Sequence, residues 1–400
     1  MINKNLIKGS FILLIAFNLF NLLNFVFHFS MARLLTVAEF GVLSTLYTII
    51  YALSGFSESI QVMMTKSVAI EEDKSKLKGL LNRYLRRSWV ISLLLFIAFV
   101  FVAILISYLT KIDYVLVLIT GFMIFAVFLA PVSRGMLQGR KRFKALGVNM
   151  VIESSMKLVL ALSFVFIGWK VYGAMIGTVV ASLVAIALSF LGLKDITSAK
   201  KESVKSKKYY NYTAPSFIIV LSILVFYSLD VFIARIVFSP EISGAYAIAS
   251  ILAKTIFLGT QPISRAMFPL SVETRKDGKK AENVFSNALL ILILCIGVAL
   301  IIFFFFPEFI VWMFSGKEIY ESASILIYLS MAIGILSIAN LVSLYKLSRG
   351  EVRNCKYLVL FVILEIILLS VFSDNLTEFS VAFVVSAVAF LWGTVFLLRD

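Results

Sequence analysis

Long apolar runs alternate with short charged connectors from one end of the chain to the other. A helix that crosses a membrane needs roughly 20 mostly apolar residues. Twelve stretches come close to that length, at 11–34, 41–65, 88–109, 114–137, 147–168, 172–192, 213–237, 243–270, 284–306, 322–346, 356–373 and 379–398. The pattern predicts an all-α polytopic membrane protein of about twelve transmembrane helices. Lys4 and Lys8 precede the first run, as in a secretory leader. The run is too long for a leader, lacks a small-x-small cleavage pattern and is followed at once by another span, so it reads as the first helix.

Composition agrees with a lipid environment. Of the 400 residues, 61% are hydrophobic and 15% charged, whereas soluble domains run nearer half and a quarter. The net charge of +15 would suit a nucleic-acid partner, but no segment forms a soluble basic face. The basic residues instead fall in alternate connectors. One set of connectors, with the two ends of the chain, holds 30 of the 37 Lys and Arg. The opposite set holds Arg33, Lys111, Lys170, Arg235 and Lys317, and Lys157 and Lys254 lie within spans. By the positive-inside rule both termini are cytoplasmic and the span count is even. The inner or plasma membrane is the expected location, with membrane lipids touching the basic connectors.

The two halves echo each other. Ala32-Arg33-Leu34-Leu35 with Glu39 and Gly41 follows the first span. Ala234-Arg235-Ile236-Val237 with Glu241 and Gly244 follows the seventh. The same offset sets His28 opposite Asp230, and a second echo pairs Lys144 and Glu153 with Lys356 and Glu365. Two lobes of six helices follow, 1–200 and 201–400, joined by the longest basic connector. Because each half begins on the same side, the pseudo-repeat is parallel. That arrangement belongs to transporters.

Polar groups inside spans are costly, so they face a bundle interior or a wet cavity. Asn18, Asn21, Asn24 and His28 share one helical face of span one, either as interhelical hydrogen bonds or as a cavity lining. Glu153 and Lys157 are spaced i, i+4: a self-neutralising pair, or a charge pair in a translocation pathway. Lys254 and Glu365 lie mid-span with no opposite charge one turn away and must find partners on other helices. Lys254 suits an anionic group; Glu365 suits a coupling proton or a structural salt bridge. Asp230 and Arg235 do not share a face, and Arg33 and Arg235 lie where long basic chains reach the interface. Pro131, Pro262 and Pro269 fall within or at the ends of spans, where they kink helices. Cys295 and Cys355 give neither a disulfide framework nor metal-ligand spacing. With one His and no phosphate loop, nucleophile elbow or metal cluster, neither an enzyme nor a cofactor is expected. Uphill work would draw on a gradient.

Several short motifs resemble Wzx-type polysaccharide flippases. They are Ala32-Arg33-Leu34-Leu35 to Glu39-Phe40-Gly41, then Gly244-Ala245-Tyr246 with Ala249. Leu137-Gln138-Gly139 with Arg142-Phe143-Lys144 and Phe268-Pro269-Leu270-Ser271 complete the set. The superfamily also holds multidrug antiporters and lipid II flippases. The resemblance implies a V-shaped transporter of two six-helix lobes, alternating access, and a lipid-diphosphate-linked oligosaccharide as cargo. Lys254 and Lys157 in the cavity, and Arg33 and Arg235 near its mouth, would hold the diphosphate. The acidic Glu153, Asp230 and Glu365 leave room for a proton or sodium ion as coupling partner. A monomeric transport unit is expected, with glycan-assembly proteins as candidate associates. The alternatives are a cation-coupled drug or metabolite antiporter of the same superfamily, and a membrane-embedded polysaccharide polymerase or glycosyltransferase. The short outer connectors weigh against an enzyme.

Overall fold

A computed structural model describes residues 4–69, 71–200, 214–273 and 278–398. Much of the longest basic connector, residues 274–277 and the ends of the chain therefore lie outside the described residues, including Lys201, Lys205, Lys207, Lys208, Arg275, Lys276 and Arg399. The described residues are helical with no strand. This follows from the solvent: in lipid each backbone polar group must be satisfied within its own segment, and an uninterrupted helix does so.

The first six spans are α1 (Lys4–Leu34), α2 (Val37–Ala69), α3 (Lys74–Thr110), the pair α4 (Tyr114–Gly121) and α5 (Met123–Gly139), α6 (Phe143–Phe164) and α7 (Lys170–Ser189), followed by the short α8 (Lys194–Thr197). The second six are α9 (Ala214–Val237), α10 (Pro240–Glu273), α11 (Gly278–Phe305), α13 (Tyr320–Arg349), α14 (Leu358–Val371) and α15 (Leu376–Leu397). The short α12 (Pro307–Ser315) sits between α11 and α13. Pro131 lies inside α5, and Pro262 and Pro269 inside α10.

Ten described stretches are long and apolar enough to cross a membrane. One of these, Phe143–Thr197, contains two spans. The chain leaves α6 through a wide turn at Val165–Trp169, where Gly168 takes φ +98°. An L side chain is strained at that φ even though no atom lies within 4 Å of where a Cβ would stand. α7 then runs back along α6: Asn149 donates to the Ala185 carbonyl at 2.6 Å, and Ser182 to Glu153 at 2.8 Å. α14 has only 14 residues, about 21 Å of helix, and a turn at Cys355–Tyr357 leads into it. Counting both, the spans number twelve.

Lipid exposure repeats between the halves. Only 11% of the apolar window of α3 and 17% of that of α11 is buried, against 72% in α10. α3 and α11 are the third spans of their respective halves. They present bare apolar faces such as Leu94, Phe101 and Ile104, or Leu290, Leu294 and Val298.

The chain divides into two compact units. The first is Met1–Leu35 with Ile49–Asn211, the second Thr36–Thr48 with Tyr212–Asp400. The start of α2 thus groups with the second unit. There Gly41 packs on α10: a Cβ on Gly41 would stand 2.7 Å from Gly244 Cα, and one on Gly244 2.1 Å from the Val37 carbonyl oxygen. Those two glycines end the repeated Ala-Arg…Glu…Gly stretches. Small residues at a membrane helix interface let backbones approach, and Phe40 reinforces the contact edge-on against Phe314 at 6.2 Å.

Candidate functional site

Each unit carries its own set of buried and half-buried charged and polar side chains. In the first unit α1, α5, α6 and α7 converge. Lys157 on α6 donates to the Asn24 side-chain carbonyl on α1, and its ammonium lies 4.4 Å from the centre of the Phe27 ring. A cation over an aromatic face is attracted by the ring quadrupole. Asn24 in turn donates to the Phe20 carbonyl at 2.8 Å. One turn before Lys157, Glu153 forms an ion pair with Arg134 of α5 and accepts from Ser182 of α7. Arg134 also donates from Nε to Asn149 at 3.0 Å. His28 is buried and lies 3.2 Å from the Tyr51 hydroxyl of α2.

In the second unit the set is built on α9, α10 and α14. Asp230 is wholly buried, and α10 supplies three donors to it from successive turns: Tyr246 at 3.3 Å, Ser250 at 2.7 Å and Lys254 at 2.8 Å. The i, i+4, i+8 spacing places all three on one helix face. Lys254 also lies 4.9 Å from the centre of the Tyr227 ring. Buried ions persist where geometry and extra hydrogen bonds offset desolvation, and Asp230 meets that condition. Glu365 on α14 does not. It too is wholly buried, its carboxyl oxygens accept no hydrogen bond among the described residues, and it lies within electrostatic reach of Asp230 and Lys254.

The sequence-derived candidates separate accordingly. Asn24, Glu153 and Lys157 share one cluster; Asp230, Lys254 and Glu365 share the other. Arg235 is buried and donates to Ser243 at 3.2 Å. Arg33 is exposed, its guanidinium 4.6 Å from the Phe29 ring centre. Asn18 is exposed and Asn21 half-buried. Arg134, Asn149, Ser182, Tyr246 and Ser250 belong to the clusters but escape a sequence reading. Arg134 counts there as part of a basic connector, and hydroxyls are too common in spans to stand out. Among the described residues no group of His, Cys, Asp and Glu could hold a metal ion.

Outside the spans, at the end of α7, Arg142 holds Asp195 through two hydrogen bonds of 2.7 Å, and Lys74 approaches the same carboxylate at 3.2 Å. The Arg142 guanidinium holds the Asp195 carboxyl well below the usual carboxylate range.

Comparison with known proteins places this arrangement. Residues 6–275 match the model of a family described as polysaccharide biosynthesis protein. The chain belongs to that family. It is 24% identical to an uncharacterized membrane protein of Methanocaldococcus jannaschii over 94% of each chain. Among solved structures it is similar to a multidrug resistance MATE family transporter of the MOP superfamily in an inward-facing conformation. The TM-score there is 0.78 at 14% identity, over 94% of each chain. It is also similar to the lipid II flippase MurJ in an inward closed conformation. In that case the TM-score is 0.70 at 14% identity, covering 96% of this chain and 86% of that one. The fold is therefore that of the MATE and MurJ transporters.

Proposed function

We propose that this protein is a flippase. It moves a lipid-diphosphate-linked oligosaccharide from the cytoplasmic to the outer leaflet of the cell membrane by alternating access, for assembly of a surface polysaccharide. In this reading both termini lie in the cytoplasm, which the distribution of Lys and Arg supports. The observation that carries this reading is the family match across residues 6–275; the fold shared with a lipid II flippase supports it. Lys157, with Asn18, Asn21, Asn24 and His28 on the adjoining helix, is the part of the pathway suited to the polar head of such a lipid. Arg33 and Arg235 are further candidates for contact with the cargo, each within its own unit. Lys254 is already engaged by Asp230, so we assign that pair, with Glu365, to coupling by a proton or a sodium ion.

A second reading is a cation-coupled drug or metabolite antiporter. The gathering of Asp230 and Glu365 in one unit favours it, as does the fold of a multidrug transporter.

Liposomes reconstituted with the protein and a fluorescent lipid-diphosphate sugar separate the two. Under the flippase reading a membrane-impermeant quencher gains or loses access to the label faster than in protein-free vesicles, and Lys157→Ala slows this more than Arg33→Ala. Flipping at the background rate, together with drug-driven proton flux, would establish the antiporter instead.

A further inference from the structure

We propose that a groove on the flank of the first unit binds an anionic membrane lipid, with its phosphate on Arg86 and its hydrocarbon chain against Trp89, Leu129 and Ile186. The groove lies between α3, α5 and the end of α7. Leu85, Arg86, Trp89, Leu129, Ile186 and Phe190 line a cavity of about 350 Å3. Arg86 is the one charged residue in that lining.

The position of the groove follows from helix lengths. α3 has 37 residues, roughly 55 Å at the helical rise, well beyond the roughly 30 Å hydrocarbon core of a bilayer. Its first three turns carry Lys74, Lys76, Lys78 and Arg83, and its apolar run begins only at Trp89. Arg86 therefore stands where the headgroups meet the acyl chains. Ile186 and Phe190 close α7 at the same depth, while Leu129 lies about ten residues up α5 from its basic end, roughly 15 Å. The groove thus descends from the headgroup level into the acyl layer, as a lipid does.

The chemistry matches the geometry. Arg134 and Arg142 are each held by a carboxylate, and Arg83 and Arg87 also have partners. Arg86 has none among the described residues. It is exposed at the mouth of the groove. A guanidinium presents a planar fork of donors that fits two phosphate oxygens at once. Below it Trp89 is braced by Phe125 at 5.3 Å between ring centres, giving the groove a fixed aromatic wall at the depth where indoles favour the membrane interface. An unpaired cation above an apolar trough fits a phosphodiester on a hydrocarbon tail. A zwitterionic lipid would bring its own ammonium to the same cation.

Trp89 is a built-in reporter. The chain's other indoles, Trp169, Trp312 and Trp392, are replaced by Phe, and the protein is placed in phosphatidylcholine vesicles. Either brominated phosphatidylglycerol or brominated phosphatidylcholine is then added as quencher. One basic contact at a membrane surface corresponds to about a fivefold preference. Quenching is therefore expected to half-saturate at about fivefold lower mole fraction with the anionic lipid. Arg86→Gln brings the two curves together, Arg86→Lys keeps part of the gap, and Lys76→Gln, outside the groove, leaves it unchanged. Native mass spectrometry of the unmodified chain against Arg86→Gln reads the same preference as retained phosphatidylglycerol, should the triple-Phe background fold poorly. Equal quenching by both lipids, or a preference that survives Arg86→Gln, would overturn the site and assign any anionic preference to the basic connectors as a whole.

Discussion

Glu153 and Glu365 occupy matching places in the two halves, 212 residues apart, yet their surroundings differ. Glu153 is paired with Arg134 and accepts a hydrogen bond from Ser182; Glu365 is more deeply buried and receives no hydrogen bond among the described residues. The same offset carries Arg134 onto Lys346, so the second half possesses the corresponding base. Lys346 is engaged elsewhere. It pairs with Glu351 at 3.0 Å, and Arg349 adds a 2.8 Å contact to that carboxylate. The base at that offset in the second half is thus paired with Glu351, just beyond the end of α13. One half has closed its acid into a structural pair; the other has left it open beside Asp230 and Lys254. An uncompensated buried carboxyl is costly, and such groups mark ion and proton pathways in membranes.

The largest effect should come from opening the closed half. Arg134→Ala leaves Glu153 without its cation; the pair is half-buried, so the cost lies below the roughly 3–5 kcal/mol of a fully buried pair. Thermal unfolding in detergent should show a clear drop in Tm, most of it restored when Glu153 is also made Leu. A small drop, or no recovery in the double variant, would mean that the two acids are not held so differently. Asp230→Ala should act in the same direction, since it strands Lys254.

This contrast was only half legible in the sequence. The spans could be read because lipid imposes them on every residue: apolar length is a local property. The family could be read from motifs beside the helix ends, and one of those motifs acquires a physical reason in the packing of Gly41 on Gly244. Partners could not be read. The i, i+4 spacing of Glu153 and Lys157 points along one helix, but their side chains engage α5, α7 and α1 as well. The three donors to Asp230 sit on another helix, two of them as residues that carry no charge. Arg134 was hidden by its position beside a basic connector, where its charge looks topological. Which base answers which acid depends on tertiary contacts that no one-dimensional pattern records.

The open half should reveal itself in transport rather than in stability. Glu365→Gln removes a titratable group while breaking no hydrogen bond or ion pair among the described residues, so Tm should change little. If Glu365 serves coupling, the gradient-dependent part of lipid flipping should fall at least tenfold, about 1.4 kcal/mol, while flipping without a gradient persists. Glu153→Gln should show the converse, a lower Tm with gradient dependence retained. An identical response from both variants would erase the distinction between the halves. Glu351→Ala tests the origin of the asymmetry: it releases Lys346 from a pair at the edge of the unit, where such contacts amount to about 1 kcal/mol or less. Its effect on Tm should be correspondingly small, and a large one would show that this pair is as structural as Arg134 with Glu153.

The smallest effect belongs to the connector. Asp195, between Arg142 and Lys74, is held below the usual carboxylate range by those two cations, Arg142 first. A carboxyl whose folded value is depressed adds stability above its unfolded value, about 4, and that contribution is lost as pH falls through the folded value. Asp195→Asn should therefore lower Tm slightly at pH 7, and the gap from the parent should narrow as the medium is acidified below about pH 4. The half-exposed position keeps the effect small, and added salt should shrink it further because exposed pairs are screened. Thermal scans of the two proteins between pH 3 and pH 7 measure it directly. A gap that widens towards acid would mean that Asp195 is stabilised in its neutral form and that Arg142 spends its charge elsewhere.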